Sequence, residues 1–96
     1  MTVKLKKWDI QDHLKTQEDR ETYLEAALEE ASDDPVYIAH VLGDIAKSYG
    51  MTKLAQETGL TREGLYKSFG KQGNPSFVTV SKVANALGLK LSFQHL

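Results

Sequence analysis

The chain of 96 residues suffices for one domain and not for two, and its 41% hydrophobic content fills a single small core. It has no cysteine, which excludes a disulfide framework and a thiolate metal site and fits a reducing compartment. The formal net charge of −1 hides a division: residues 1–46 hold five Lys/Arg against eleven Asp/Glu (−6), residues 47–96 seven against two (+5). Such a split marks either two surfaces with different partners or two ordinary solvated faces. Met1 to Lys7 lacks the apolar run of a secretory signal, and nowhere do enough apolar residues run together to span a membrane. A soluble, cytoplasmic protein is expected.

In chain order, Val3 and Leu5 alternate with Lys4 and Lys6, as a short strand does, and Trp8 and Ile10 are placed to pin this arm to the body. Asp9 to Leu14 makes one helical turn. The first full helix starts after Thr16 as N-cap, with Glu18, Asp19 and Glu21 near the positive end of its dipole. Tyr23, Leu24, Ala27, Leu28 and Ala31 form its apolar stripe, and Ser32-Asp33-Asp34-Pro35 stops it.

Asp34 as N-cap, with Pro35 in the first helical position, opens the next helix. Ile38, Val41, Leu42, Ile45, Ala46 and Tyr49 give it the strongest amphipathic pattern in the chain, and Gly50 ends it as a left-handed cap. Met51 to Thr58 is a short helix, Gly59-Leu60-Thr61 a turn, and Arg62 to Phe69 another short helix; Gly70 to Pro75 is a loop. Ser76 caps a last helix with Phe77, Val80, Val83, Ala84 and Leu87 as its core face and Gly88 closing it. The tail from Leu89 to Gln94 alternates apolar and polar residues like a half-buried strand, which would pair with the N-terminal arm or with its own copy. One domain, 1–96, results: arm and acidic helix at 1–34, core at 35–88, C-terminal strand at 89–96.

The stretch from Met51 to Phe69 meets the demands of two steeply crossing helices joined by a three-residue turn. Leu54 points into the core, and the neighbouring Ala55 stays small so that the second helix can approach. Gly59 supplies positive φ, Leu60 plugs the corner, and Thr61 caps the second helix. With Leu65 and Phe69 inward, the opposite face presents Arg62, Glu63, Tyr66 and Lys67, with Thr61 at its N-terminal end. In a helix-turn-helix such residues enter the major groove of DNA: Arg62 matches a guanine, Glu63 a cytosine amino group, and the Thr61 and Tyr66 hydroxyls reach phosphate. Lys67 suits base or backbone. Lys53, Lys71, Asn74 and Lys82 are candidates for phosphate contacts. Gly64, a poor helix former, either lets the helix sit close to DNA or relieves packing against the preceding helix. A helical hairpin with its basic residues merely solvated is the alternative to DNA binding.

Leu54 to Lys67 resembles the Cro/CI-type (XRE-like) helix-turn-helix family. Asn74-Pro75-Ser76-Phe77, the closing Ala86-Leu87-Gly88-Leu89-Lys90-Leu91, and the upstream Tyr23 to Leu28 and Ile38 to Gly50 resemble, more narrowly, the probable addiction-module antidote proteins, HigA-like antitoxins. Thr58 and Ser68 depart from the general pattern, standing where an aliphatic residue is usual, with Phe69 compensating for the second. The residue patterns give an all-α fold of about five helices with room for short terminal strands, and the resemblance implies a lambda-repressor-like helix-turn-helix domain. It implies an antitoxin that neutralises a small RelE-like toxin and represses the shared operon, with double-stranded operator DNA, a small basic toxin and a second copy of the chain as partners. A stand-alone repressor and a protein-interaction module with a structural helix-turn-helix are the alternatives.

Given a toxin, the acidic helix gains a purpose. A ribonuclease-like toxin is basic in order to hold RNA, so Glu18, Asp19, Glu21, Glu25 and Glu29 either occupy it or simply keep the chain soluble. His13, His40 and His95 lie far apart with no clustered carboxylate, so no metal is expected, and no cofactor. No nucleophile elbow, phosphate loop or dinucleotide fingerprint appears, and no enzymatic activity is expected.

Overall fold

Side-chain capping marks where most of the described helices begin, and the computed structural model, which describes residues 9–96, contains helices and no strand among them. Asp9 accepts the Gln11 N–H at 2.9 Å and opens a 3₁₀ turn, Ile10–His13. Helix α1, Gln17–Ala31, starts in a reciprocal capping box. The Thr16 hydroxyl accepts the Asp19 N–H at 3.0 Å, while the Asp19 carboxylate accepts the N–H groups of Lys15 and Thr16 at 3.0 and 3.1 Å. Helix α2, Pro35–Tyr49, has Asp34 accepting from Tyr37 N–H at 3.0 Å and proline in its first turn.

Helices α3, Met51–Thr58, and α4, Arg62–Ser68, follow, then α5, Phe77–Ala86, whose cap is the Ser76 hydroxyl accepting from Thr79 N–H at 3.1 Å. Gly50 departs from the expected left-handed cap: its φ of +116° is positive, but its ψ of +113° is extended. It ends α2 by donating to the Ala46 carbonyl and starts α3 by accepting from Leu54 N–H. A residue that closes one helix and opens the next must leave the helical ψ range.

The core is one cluster of Leu42, Ala46, Met51, Leu54, Leu65, Phe69 and Val83, which ties α2 to α5. A smaller cluster of Ala27, Val41 and Ile45 fastens α1 to α2. Polar contacts reinforce that seam. The Tyr23 hydroxyl donates to the buried Asp44 carboxylate at 2.8 Å, and the Gln11 side-chain amide donates to the Asp44 carbonyl at 3.0 Å. Ser48 donates to the Leu14 carbonyl and accepts from Arg20 at 3.2 Å.

Three expectations need correction. Leu28, placed on the apolar stripe of α1, is 44% exposed, because it lies about 100° around the helix from Ala27, which faces α2. Phe77, placed on the core face of α5, is 63% exposed. That helix meets the core only from Val80 onward, about one turn beyond Phe77. The C-terminal strand does not form. After Leu89 N–H reaches the Ala84 carbonyl, residues 90–96 run without ladder bonds to any described strand, leaving Leu91 and Phe93 exposed. A strand needs a partner edge, and the described residues offer none. The expected strand at Val3 and Leu5 and the anchor Trp8 lie outside the described residues.

Candidate nucleic-acid interface

The segment from Met51 to Phe69 folds as two short helices packed on each other across a three-residue turn, as expected except that the second ends at Ser68 with Phe69 as its C-cap. Gly59 sits at φ +76°, ψ +6°, the left-handed conformation that lets the chain leave α3 and its N–H bond back to Ala55. Leu54 is fully buried, Ala55 and Leu60 are half-buried, and Leu65 and Phe69 hold α4 from below.

The departures from the family pattern have a partial explanation. Thr58 turns its hydroxyl onto its own helix, donating to the Leu54 carbonyl at 2.8 Å and accepting from Leu60 N–H at 3.2 Å. It thus satisfies backbone groups at the corner that an aliphatic residue would leave to water. At Ser68 the aliphatic place is taken by its neighbour, since Phe69 is buried in the core cluster.

Opposite the buried face of α4, Arg62, Glu63, Tyr66 and Lys67 are all exposed. The Arg62 guanidinium lies 5.1 Å from the centre of the Tyr66 ring. Thr61 accepts from Gly64 N–H at 2.9 Å, so one lone pair is committed to the cap while its proton stays available to an acceptor. A Cβ on Gly64 would stand 2.7 Å from that Thr61 oxygen. Protection of the cap is therefore a third reason for glycine there, beside the two the sequence suggested.

The remaining basic candidates divide. Lys53 reaches 4.5 Å from the centre of the Tyr49 ring, which Arg20 of α1 approaches at 5.7 Å, while the Tyr49 hydroxyl donates to Glu57. Lys82 is exposed on α5. Lys71 and Asn74 line an open groove between α2 and the α4–α5 loop, together with His40 and Lys47, two residues that sequence reasoning passed over. Their signal was present: His40 and Lys47 are seven residues apart, two turns along one face of α2.

On α1, Glu18, Glu21, Glu25 and Glu29 are exposed, and Glu18, Glu25 and Glu29 project opposite the Ala27 seam. Asp19 differs. Its carboxylate is held by the Lys15 and Thr16 N–H groups, which lower its pKa, so it serves the helix start. Arg20, the one cation of that helix, turns inward to Ser48 and Tyr49. No described group of three or more His, Cys, Asp or Glu is placed to hold a metal ion. No described helix is long and apolar enough to cross a membrane.

Residues 4–95 match the model of a family described as "Probable addiction module antidote protein". The chain is also 43% identical over 95 residues to an uncharacterized protein of Haemophilus influenzae, the alignment covering 99% of this chain and 96% of that one. No solved structure matches it.

Proposed function

The chain belongs to the family of probable addiction module antidote proteins, and from that premise we propose that it is a DNA-binding antitoxin that neutralises a small RelE-like toxin and represses its own operon as a dimer. The helix-turn-helix is of Cro/CI type and the antitoxin HigA-like. One observation carries the DNA half of this proposal. Helix α4 is anchored by Leu65 and Phe69 and turns Arg62, Glu63, Tyr66 and Lys67, none of them needed for packing, to the outside of the molecule. One such helix covers only a few base pairs, so useful affinity requires two half-sites about 34 Å apart and hence two copies. The positive second half of the chain supplies the attraction to phosphate that a net charge of −1 would not. The exposed carboxylates of α1 give a basic toxin a complementary surface at the other end of the sequence. A regulator of this kind needs no catalytic group.

The test is a gel-shift titration against the DNA upstream of the gene at several salt concentrations, with wild type and Arg62→Ala. Selective, salt-weakened binding that the variant loses while staying folded supports repression. Absence of selective binding by the wild type at low salt overturns the repressor and leaves a protein-interaction module. Co-purification with the product of a neighbouring toxin gene tests the antitoxin, and its failure would leave a stand-alone repressor.

A further inference from the structure

We propose that Arg62, backed by the ring of Tyr66, reads a two-base step: a guanine with a 5-methylpyrimidine, thymine or 5-methylcytosine, on its 5′ side. This rests on α4 being the recognition helix. Three observations about Arg62 carry the proposal. It is the first residue of α4, at the positive end of the helix dipole, where a cation does not help the helix. No described carboxylate pairs with it: among the described residues the one ion-pair contact joins His40 and Asp44. Glu63 follows it directly, and neighbours one residue apart on a helix do not face each other. The guanidinium lies instead 5.1 Å from the centre of the Tyr66 ring, with Nη2 3.5 Å from the phenol oxygen, the outer limit of a hydrogen bond.

The difference between a carboxylate and a ring as neighbour decides what the arginine can do. A guanidinium carries all its N–H donors in its own plane and has two flat faces. A carboxylate would take the donors, whereas a ring takes one face and leaves the donors free. Those donors fit O6 and N7 of guanine, and this bidentate contact brings the guanidinium into the plane of the base pair. Its second face then looks toward the neighbouring pair, about 3.4 Å away along the strand. In right-handed stacking, the C5 position of a pyrimidine on the 5′ side overhangs the major-groove edge of the guanine. A methyl group there covers the free face of the guanidinium, while a hydrogen leaves that face to water. Methyl, guanidinium and phenol ring then form three layers. Tyr66 thereby gains a part in base reading, where its hydroxyl alone suggested a phosphate contact.

The experiment first locates the guanine, as the base pair of the operator at which Arg62→Ala loses its discrimination. The base 5′ to it, in one half-site of a synthetic duplex, is then made thymine, uracil, 5-methylcytosine or cytosine. Thymine is expected to bind about fourfold more tightly than uracil, and 5-methylcytosine than cytosine, the worth of one buried methyl group. Arg62→Lys keeps the charge without the plane and is expected to abolish both differences. Tyr66→Ala is expected to shrink them. Both residues are exposed, so unchanged circular dichroism spectra are expected and guard against misfolding as the cause. Equal binding of the thymine and uracil duplexes by the wild type overturns the two-base step and leaves the recognition helix standing. A methyl preference that survives Arg62→Lys also overturns it, because another group then reads the methyl. So does an Arg62→Ala protein that keeps its discrimination at every base pair. Lack of any selective wild-type binding removes the recognition helix and the step together.

Discussion

The guanidinium of Arg62 stacks over the ring of Tyr66, one helical turn further along α4, with Nη2 3.5 Å from the phenol oxygen. Both side chains are exposed, so the contact contributes little to stability, about 0.5–1 kcal/mol for a cation–π pair at such a site. Its greater consequence is orientation. A long side chain freely sampling rotamers must be ordered on binding, whereas one already stacked is partly ordered.

Under the proposed DNA-binding role, removing Arg62 and removing its support should therefore differ. Arg62→Ala is expected to cost about 1–3 kcal/mol of discrimination at one base pair of the operator. Tyr66→Ala should keep the position of that preference and reduce it several-fold, while Tyr66→Phe, which keeps the ring, stays close to wild type. Competition binding over single-base operator variants measures all three. Equal selectivity for wild type and Tyr66→Ala would mean that the stack does not orient Arg62.

The bond between Tyr23 and Asp44 fastens α1 to α2 and has a pH signature. Burial first, then the hydrogen bond to Asp44, push the Tyr23 pKa well above its ordinary value of 10.0. In the unfolded chain the phenol ionises near pH 10, while in the folded chain it keeps its proton. Its contribution is therefore complete below pH 10 and is lost as pH climbs toward the folded pKa. Tyr23→Phe leaves a buried carboxylate without its donor and is expected to cost about 1–2 kcal/mol at neutral pH in urea unfolding. Above pH 10 that variant should lose stability less steeply than wild type. Tyr49, also shifted upward, chiefly by its bond to Glu57, is far more exposed to solvent, and Tyr49→Phe serves as the control. Parallel alkaline curves for wild type and Tyr23→Phe would show that the buried bond is not felt.

Gly59 and Gly73 should respond to alanine in different degrees. At Gly59 a Cβ meets nothing within 4 Å, so the cost is the left-handed backbone alone, about 1–2 kcal/mol, with asparagine milder than alanine. At Gly73 the Cβ strikes two carbonyl oxygens, the loop must open, and a loss above about 2 kcal/mol is expected. Thermal unfolding of Gly59→Ala, Gly59→Asn and Gly73→Ala gives the order. A Gly73→Ala protein as stable as wild type would mean that the loop is not held closed.

On α1 the acidic residues separate by role. Charge reversal at Glu25 and Glu29 is expected to slow association with a basic toxin and raise its Kd, leaving operator affinity unchanged. Asp19→Asn should instead loosen the first turn of α1, as Thr16→Ala does at a cost of about 1 kcal/mol. Because the folded pKa of Asp19 lies below 3.8, its contribution is present above that pH and is lost as pH falls through the folded value. Surface plasmon resonance separates the two groups of variants. Unaltered toxin kinetics after reversal of both glutamates would make the acidic face a solubility device.

The helix starts were legible because they depend on neighbours. Thr16, Asp34, Thr61 and Ser76 each accept an N–H three residues ahead, and the turn at Gly59 follows from glycine's access to positive φ. The bond that Leu60 N–H donates to the Thr58 hydroxyl is as local, yet it could be assigned only once the corner was in place.

The sequence by itself thus determined the five helices of the described residues, where four of them start and the outward face of α4, since hydrogen bonds over three or four residues and a 3.6-residue period need no distant partner. Tertiary structure alone decided that Leu28 and Phe77 stay exposed, that Arg20 turns inward to Tyr49, that the tail forms no strand among the described residues, and that Lys47 shares a groove with Lys71. Each of those outcomes depends on where one element crosses or ends against another, and periodicity along a single helix carries no record of that crossing.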